Sequence, residues 1–229
     1  MDSGADAKAT TALLAGATGL VGRALLDRLL ASDRRHRVTV LARKPTATTL
    51  ARDARLTILV GDMAALASEA GPIDDVYIAL GTTIKVAGSK AAFRAVDLDL
   101  VVAIARAARA AGARRLAVVS ALGADRRSRV FYNRVKGEME ETVAAMGYAS
   151  VVFARPSLLL GDRASLGQPT RRVEAFAANV LGPLLPLLPT GVRPIEASTV
   201  AAALVAALEQ STPGTRVLSS ADLQRLGRG

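Results

Sequence analysis

Short apolar runs alternate along this chain with stretches patterned for helices, and that alternation leaves few folds open. The runs fall at 11–15, 38–41, 56–60, 76–80, 116–119 and 151–154, each of strand length and bounded by turn residues. Between them lie helical patterns at 20–31, where Val21, Leu25 and Leu29 recur, at 89–111, faced by Phe93, Val96, Leu100, Ile104 and Ala108, and at 132–146. A further helix is expected near 199–209 and a short strand around Val217. Near-continuous apolar strands alternating with helices indicate a sheet covered on both faces. Right-handed crossovers make it doubly wound: an α/β, mainly parallel Rossmann sheet with a small C-terminal lid or substrate region. At 229 residues, the chain reads as one domain spanning 10–220, with 157–220 as that lid region and 1–9 and 226–229 as loose ends.

Composition narrows the chemistry. There is no Cys and one His, His36, which excludes disulfides, thiolate metal sites, iron–sulfur clusters and cysteine nucleophiles, so no metal site is expected. His36 lies in the charged loop Asp33-Arg34-Arg35-His36-Arg37 and reads as solvated. No apolar run reaches membrane-spanning length, and the N-terminus lacks a signal pattern, so the expectation is a cytoplasmic protein with no membrane partner. The formal charge of +10 comes from 30 basic against 20 acidic residues. Aromatics are only 3% of the chain, so the stacking platforms of a nucleic-acid binder are missing and no nucleic-acid partner is expected.

Directly after the first strand comes Gly16-Ala17-Thr18-Gly19-Leu20-Val21-Gly22, opening the first helix. Glycines there allow a tight turn and close approach of a phosphate, and the helix start offers unpaired N–H groups to it. A dinucleotide is therefore expected on Gly16, Thr18, Gly19, Leu20, Val21 and Gly22. At the end of the second strand, where a carboxylate would select NAD(H), the chain has Arg43 and Lys44. Two cations suit a 2′-phosphate, so NADP(H) is expected over NAD(H). Asp62 and Met63 after the third strand are expected near the adenine, with Asp62 at its amino group. Leu80, Gly81 and Thr82 after the fourth are expected along the ribose.

Ser120 ends the fifth strand, and Tyr132 and Lys136 stand one helical turn apart twelve residues on. Val135, Met139, Val143 and Met146 form a separate apolar face, leaving Tyr132 and Lys136 to point into the crevice. A free phenol is a weak acid and base at neutral pH. An ammonium about 4 Å away, at an effective dielectric of about 20, favours the phenolate by up to ~4 kcal/mol. Tyr132 is thus the candidate general acid/base, Lys136 its electrostatic partner, and Ser120 the hydroxyl that orients a substrate oxygen. Composition alone would supply such a Tyr-x-x-x-Lys about 0.07 times in the chain.

The glycine turn, Ser120, Tyr132-Asn133-Arg134-Val135-Lys136 and Arg155-Pro156-Ser157 together resemble the atypical short-chain dehydrogenase/reductase superfamily. Val119-Ser120-Ala121-Leu122-Gly123-Ala124-Asp125 and Tyr132 to Glu140 are similar to its branch related to the Tat-interacting protein oxidoreductase. The resemblance covers about residues 10–220. It implies NADP(H) binding, a triad of Ser120, Tyr132 and Lys136, a ribose contact from Lys136, and a carboxamide contact from Pro156, Ser157 and Leu158. The family's active-site Asn has no counterpart that these motifs place.

The expected function is hydride transfer between NADP(H) and a carbonyl or alcohol of a small organic molecule. The alternatives are an NAD(P)H-binding regulatory or redox-sensing protein with little turnover, and a nucleotide-sugar epimerase-like enzyme. A homodimer is an open possibility. Glu138, Glu140 and Glu141 read as a helix surface balancing nearby Arg. The loop Asp125-Arg126-Arg127-Ser128-Arg129 reads as polar, with some capacity to attract an anionic substrate. The Pro-broken run 181–189 reads as a lid.

Overall fold

The computed structural model describes residues 10–32, 37–45, 53–161 and 191–228. His36 and the expected lid at 181–189 lie outside these residues. The six expected strands form as β1 (Thr11–Ala15), β2 (Arg37–Ala42), β3 (Leu56–Val60), β4 (Asp75–Ile78), β5 (Arg115–Val119) and β6 (Ser150–Arg155). Two short strands, β7 (Leu159–Leu160) and β8 (Ile195–Glu196), pair with each other, and β9 (Gly214–Ser219) joins the main sheet. That sheet has seven strands in the order β3-β2-β1-β4-β5-β6-β9, every neighbouring pair parallel. The order reverses direction between β1 and β4, and the crevice at their carboxyl ends is where an open parallel sheet takes its ligand.

The helices are α1 (Leu20–Ala31), α2 (Met63–Glu69), α3 (Ile84–Ala87), α4 (Lys90–Arg94), α5 (Val101–Ala110), α6 (Phe131–Ala144), α7 (Ala197–Glu209) and α8 (Ser220–Leu226). Successive strand residues point to opposite faces, and each face carries its own core. Leu14, Val40, Tyr77 and Val152 pack with Leu25 and Leu29 of α1, Val200 and Leu204 of α7, and Leu223 of α8. Leu13, Val76, Ile78 and Phe153 pack with Met63 of α2, Ile104 of α5, and Val135 and Met139 of α6. With no Trp and few Phe, the core is made of Ala, Val and Leu, each large aliphatic contributing about 1.5–3 kcal/mol by burial. The edge strand β3 differs, with Ile58 and Val60 exposed.

The helix expected over 89–111 is not continuous. Ser89 caps α4, its hydroxyl accepting from the Ala92 N–H, and Ala95–Leu100 then winds as a π turn before α5 begins. The wider turn shifts the buried face from the expected Val96 and Leu100, both only partly covered, to Asp97, Leu98 and Val101. Asp97 follows Phe93 by four residues and precedes Ile104 by seven, so helical spacing already puts it on their face, and it lies within the π turn. Helix α8, which periodicity did not find, is fixed by a capping box between Ser219 and Asp222.

Phe93 is fully buried at the end of this arrangement, with the Tyr132 ring centroid 5.3 Å and the Phe131 centroid 6.0 Å from its own. The Phe93→Ala variant is expected to lose about 3–5 kcal/mol of stability in urea unfolding. A loss below about 1 kcal/mol would show that Phe93 does not anchor the start of α6.

Candidate functional site

The glycine turn follows β1 directly. Gly16 has φ +95°, and a Cβ there would stand 2.6 Å from the Ala79 carbonyl oxygen, so only glycine lets the chain leave β1 this close to the end of β4. A Cβ on Gly22 would lie 2.0 Å from the Gly16 carbonyl oxygen, which closes the turn against the first turn of α1. Gly19 is the N-cap of α1 and supplies no side-chain cap. Among the described residues, the N–H groups of Leu20, Val21 and Gly22 therefore have neither an intrahelical acceptor nor a side-chain cap from Gly19. This is a bare helix start beside a glycine cradle, and it fits an anionic diphosphate.

Next to it lies a cavity of about 330 Å³ lined by Gly16, Ala17, Thr18, Val40, Leu41, Ala42, Arg43, Lys44, Met63 and Leu80. The structure thus gathers Gly16, Thr18, Arg43, Lys44, Met63 and Leu80 around one space. Arg43 and Lys44 are exposed at its rim, and no carboxylate lines it. Asp62 also has a local role. Its carboxylate accepts the Ala64 and Ala65 N–H groups at 2.9 and 3.3 Å as the N-cap of α2, and it is Met63 that reaches the cavity. The sequence signal was there: Asp before a short apolar pattern is a helix start.

At the carboxyl ends of β4 and β5 the chemistry is denser. Lys136 is buried, and its Nζ lies 2.7 Å from Asp97 Oδ1, the side chains being 3% and 1% exposed. The second carboxylate oxygen of Asp97 accepts the Thr82 N–H at 2.9 Å. A Cβ built on Gly81 would stand 3.5 Å from Asp97 Oδ1 and 4.0 Å from Lys136 Nζ. The ion pair therefore sits directly beneath the Gly81–Thr82 turn. The sequence reading gave Lys136 as the electrostatic partner of Tyr132 and as a ribose contact; it missed Asp97, a carboxylate whose burial nothing in the local sequence signals.

Ser120 is 5% exposed, and its hydroxyl has no hydrogen-bond partner among the described residues. A buried, unpartnered hydroxyl costs stability and calls for a functional reason. Tyr132 is half-buried, its ring tilted 37° against that of Phe93. Beyond β6, the Ser157 hydroxyl donates to the Arg193 carbonyl and accepts from the Ser220 hydroxyl, while the Leu158 carbonyl accepts the Ile195 N–H at 2.9 Å. The Pro156–Leu158 segment is thus tied to the C-terminal part of the chain, with the Ser157 side chain already engaged.

Other charges of α6 are structural. Glu140, expected on a helix surface, is instead buried and forked by Arg155, with Nε to Oε1 at 3.0 Å and the second pair at 2.6 Å. Arg126 pairs with Glu141, which holds the Glu141 carboxyl below its usual range and raises the guanidinium. These residues border a wide hollow of about 510 Å³ that contains none of Ser120, Tyr132 or Lys136. Its size does not make it the reaction site, because its buried carboxylate is already satisfied by Arg155. Among the described residues no group of His, Cys, Asp or Glu is arranged to hold a metal ion.

Residues 16–159 match the family described as NAD(P)H-binding. This chain belongs to that family. The NAD(P)H-binding chain also has curated relatives among fungal proteins. The protein named fmp52, mitochondrial, of Emericella nidulans is 39% identical over 175 residues, covering 74% of this chain and 75% of that protein. Its namesake in Aspergillus niger is 37% identical over 180 residues, covering 76% and 75%. Among solved structures, the Bordetella bronchiseptica enzyme WbmG in complex with NAD superposes with a TM-score of 0.68 at 18% identity, covering 91% of this chain and 72% of that one. The UDP-N-acetylglucosamine 4-epimerase of Methanobrevibacter ruminantium superposes with a TM-score of 0.68 at 15% identity, covering 92% and 76%. The likeness to these solved structures is one of fold. The expected cytoplasmic location is corrected by the relatives, which are named mitochondrial; composition and the first few residues carried too little information to decide it.

Removing one partner of a buried ion pair leaves the other charge uncompensated. Lys136→Met is therefore expected to lose about 3–5 kcal/mol in chemical denaturation. Combining it with Asp97→Asn should restore most of that loss. If the single and double variants are equally unstable, the pair is not coupled as described.

Proposed function

We propose that this NAD(P)H-binding chain is an NADP(H)-dependent oxidoreductase acting on a carbonyl or alcohol of a small organic molecule. The observation that carries this reading is the presence, at the carboxyl ends of the adjacent strands β4 and β5, of a buried ammonium beneath the Gly81–Thr82 turn and a buried hydroxyl, Ser120, with no partner of its own among the described residues. The bound nicotinamide would supply or accept the hydride. The Gly16–Gly22 turn would hold the diphosphate on the free N–H groups of α1, and Arg43 and Lys44 would meet the 2′-phosphate. Lys136, fixed in place by Asp97, would hold the ribose hydroxyls below Gly81.

In this reading the Ser120 hydroxyl donates to the substrate oxygen, which gives that buried group the partner it lacks in the protein. Tyr132 gives its phenolic proton to the same oxygen in the reducing direction and recovers it in the oxidising one. Lys136 favours the transient phenolate from one helical turn away. Packing on Phe93 limits the ring's freedom, so the phenol is held for the transfer and not recruited from solvent.

The test is turnover of NADPH across a panel of aldehydes, ketones and UDP-sugars, with wild type and Tyr132→Phe compared. Carbonyl-dependent NADPH oxidation is expected in the wild type, falling at least about 100-fold in the variant, while calorimetry shows NADPH binding retained and tighter than NADH. Carbonyl reduction that survives in Tyr132→Phe would remove the mechanism. Conversion of a UDP-sugar with no net cofactor change would instead make the chain an epimerase, and tighter NADH binding would refute the role of Arg43 and Lys44.

A further inference from the structure

We propose that Gly81 is a specificity-determining residue: its missing side chain keeps open a polar seat over the Lys136–Asp97 pair, and a hydroxyl of the cofactor's nicotinamide ribose fills that seat. The inference deepens the cofactor reading given above and rests on it.

Neither the backbone nor crowding explains a glycine at this position. The Gly81 φ lies outside the left-handed region, unlike that of Gly16. A Cβ on Gly16 or Gly22 would stand 2.6 or 2.0 Å from a carbonyl oxygen. One on Gly81 would meet Asp97 Oδ1 at 3.5 Å and Lys136 Nζ at 4.0 Å, both ordinary contact distances. Apart from the chain neighbours of Gly81, no other atom of the described residues lies within 4 Å of that point. An alanine therefore fits, and it would leave the unfolded chain less entropy to lose. What the glycine preserves is a methyl-sized space whose near wall is an ammonium and a carboxylate oxygen.

The chemistry of that wall selects its occupant. Nζ and Oδ1 are 2.7 Å apart, in side chains 3% and 1% exposed, so bulk water hardly reaches them. The ammonium has three N–H donors, and the ion pair takes one. Asp97 Oδ1 accepts no hydrogen bond beyond that ion pair among the described residues, while Oδ2 is taken by the Thr82 N–H at 2.9 Å. The seat thus offers a donor and an acceptor side by side. A hydroxyl, which gives one proton and takes another, satisfies both. A phosphate or carboxylate would meet the Asp97 charge at close range, and an apolar group would leave the pair without the partners it can still take. The bond from Thr82 ties the turn to Asp97, which holds the space at its height. Gly81 is exposed in the connection that follows β4, so a ligand lying across the carboxyl ends of the strands comes to this turn.

The test is calorimetric binding of two ligands to the full chain. One is NADPH; the other is adenosine 2′,5′-bisphosphate, which has the adenine and the 2′-phosphate but no nicotinamide ribose. In Gly81→Ala the methyl occupies the space. That variant is expected to bind NADPH at least about 10-fold more weakly than wild type, and the bisphosphate within about twofold of it, with the melting temperature unchanged. Equal NADPH affinity overturns the proposal. So does an equal loss for both ligands, which would mean that the methyl distorts the whole crevice. Gly81→Ser keeps the test open should the methyl destabilise the chain, because its hydroxyl can bond the pair in place of the ribose hydroxyl. It is expected to fold as wild type and to show the same selective loss; retained NADPH affinity there overturns the proposal as well. If wild type favours NADH, then NADH and adenosine 5′-monophosphate make the same comparison. A wild type that binds no nicotinamide dinucleotide removes the cofactor reading and this inference together, whereas a wild type that binds, with no selective loss in the variants, removes this inference alone.

Discussion

The buried contact between Lys136 and Asp97 joins three parts of the molecule that the chain makes separately. Lys136 comes from the first turns of α6, Asp97 from the π turn between α4 and α5, and the Thr82 N–H, which Asp97 also accepts, from the connection after β4. An ion pair taken out of water is only weakly favourable on balance, because desolvation opposes the attraction. Breaking it from one side is much more costly, which makes the pair a device for specifying position. It fixes the height of α6 over the sheet and the course of the chain at Gly81. The nearby Phe93 ring, packed on Phe131 and Tyr132, adds an apolar constraint on the same helix start.

The second constraint is steric, and it lies on the other side of the switch point. Gly16 and Gly22 leave no room for a Cβ: one is closed by the end of β4, the other by the turn itself. The result is a helix start with exposed N–H groups, next to a cavity edged by Arg43 and Lys44. The glycine cradle follows β1, and the Lys136–Asp97 pair, from α6 and the π turn, sits beneath the turn that follows the neighbouring strand β4.

Much of this was legible in the sequence, for physical reasons that differ from residue to residue. Strands such as Thr11–Ala15 are readable because a sheet covered on both faces needs unbroken apolar runs. The turn at Gly16–Gly22 is readable because its geometry excludes other residues. Tyr132 and Lys136 are readable because helical spacing relates them locally. Asp97 was not, since a carboxylate on an otherwise apolar helix face gives no local sign of the distant ammonium that pairs with it. Glu140 was missed similarly: its partner Arg155 lies across a loop and a strand, and nothing local distinguishes it from Glu138 or Glu141. Asp62 was read only as a ligand contact, whereas its side chain also caps α2 through one carboxylate oxygen, a local role the reading did not weigh.

The most direct measurement is a crystal structure of the chain grown with NADPH. The account predicts the diphosphate on the N–H groups that open α1, the 2′-phosphate between Arg43 and Lys44, and the nicotinamide ribose within hydrogen-bonding reach of a Lys136 still paired with Asp97. A cofactor lying elsewhere, or a Lys136 drawn out of its pair and away from the ribose, would contradict it.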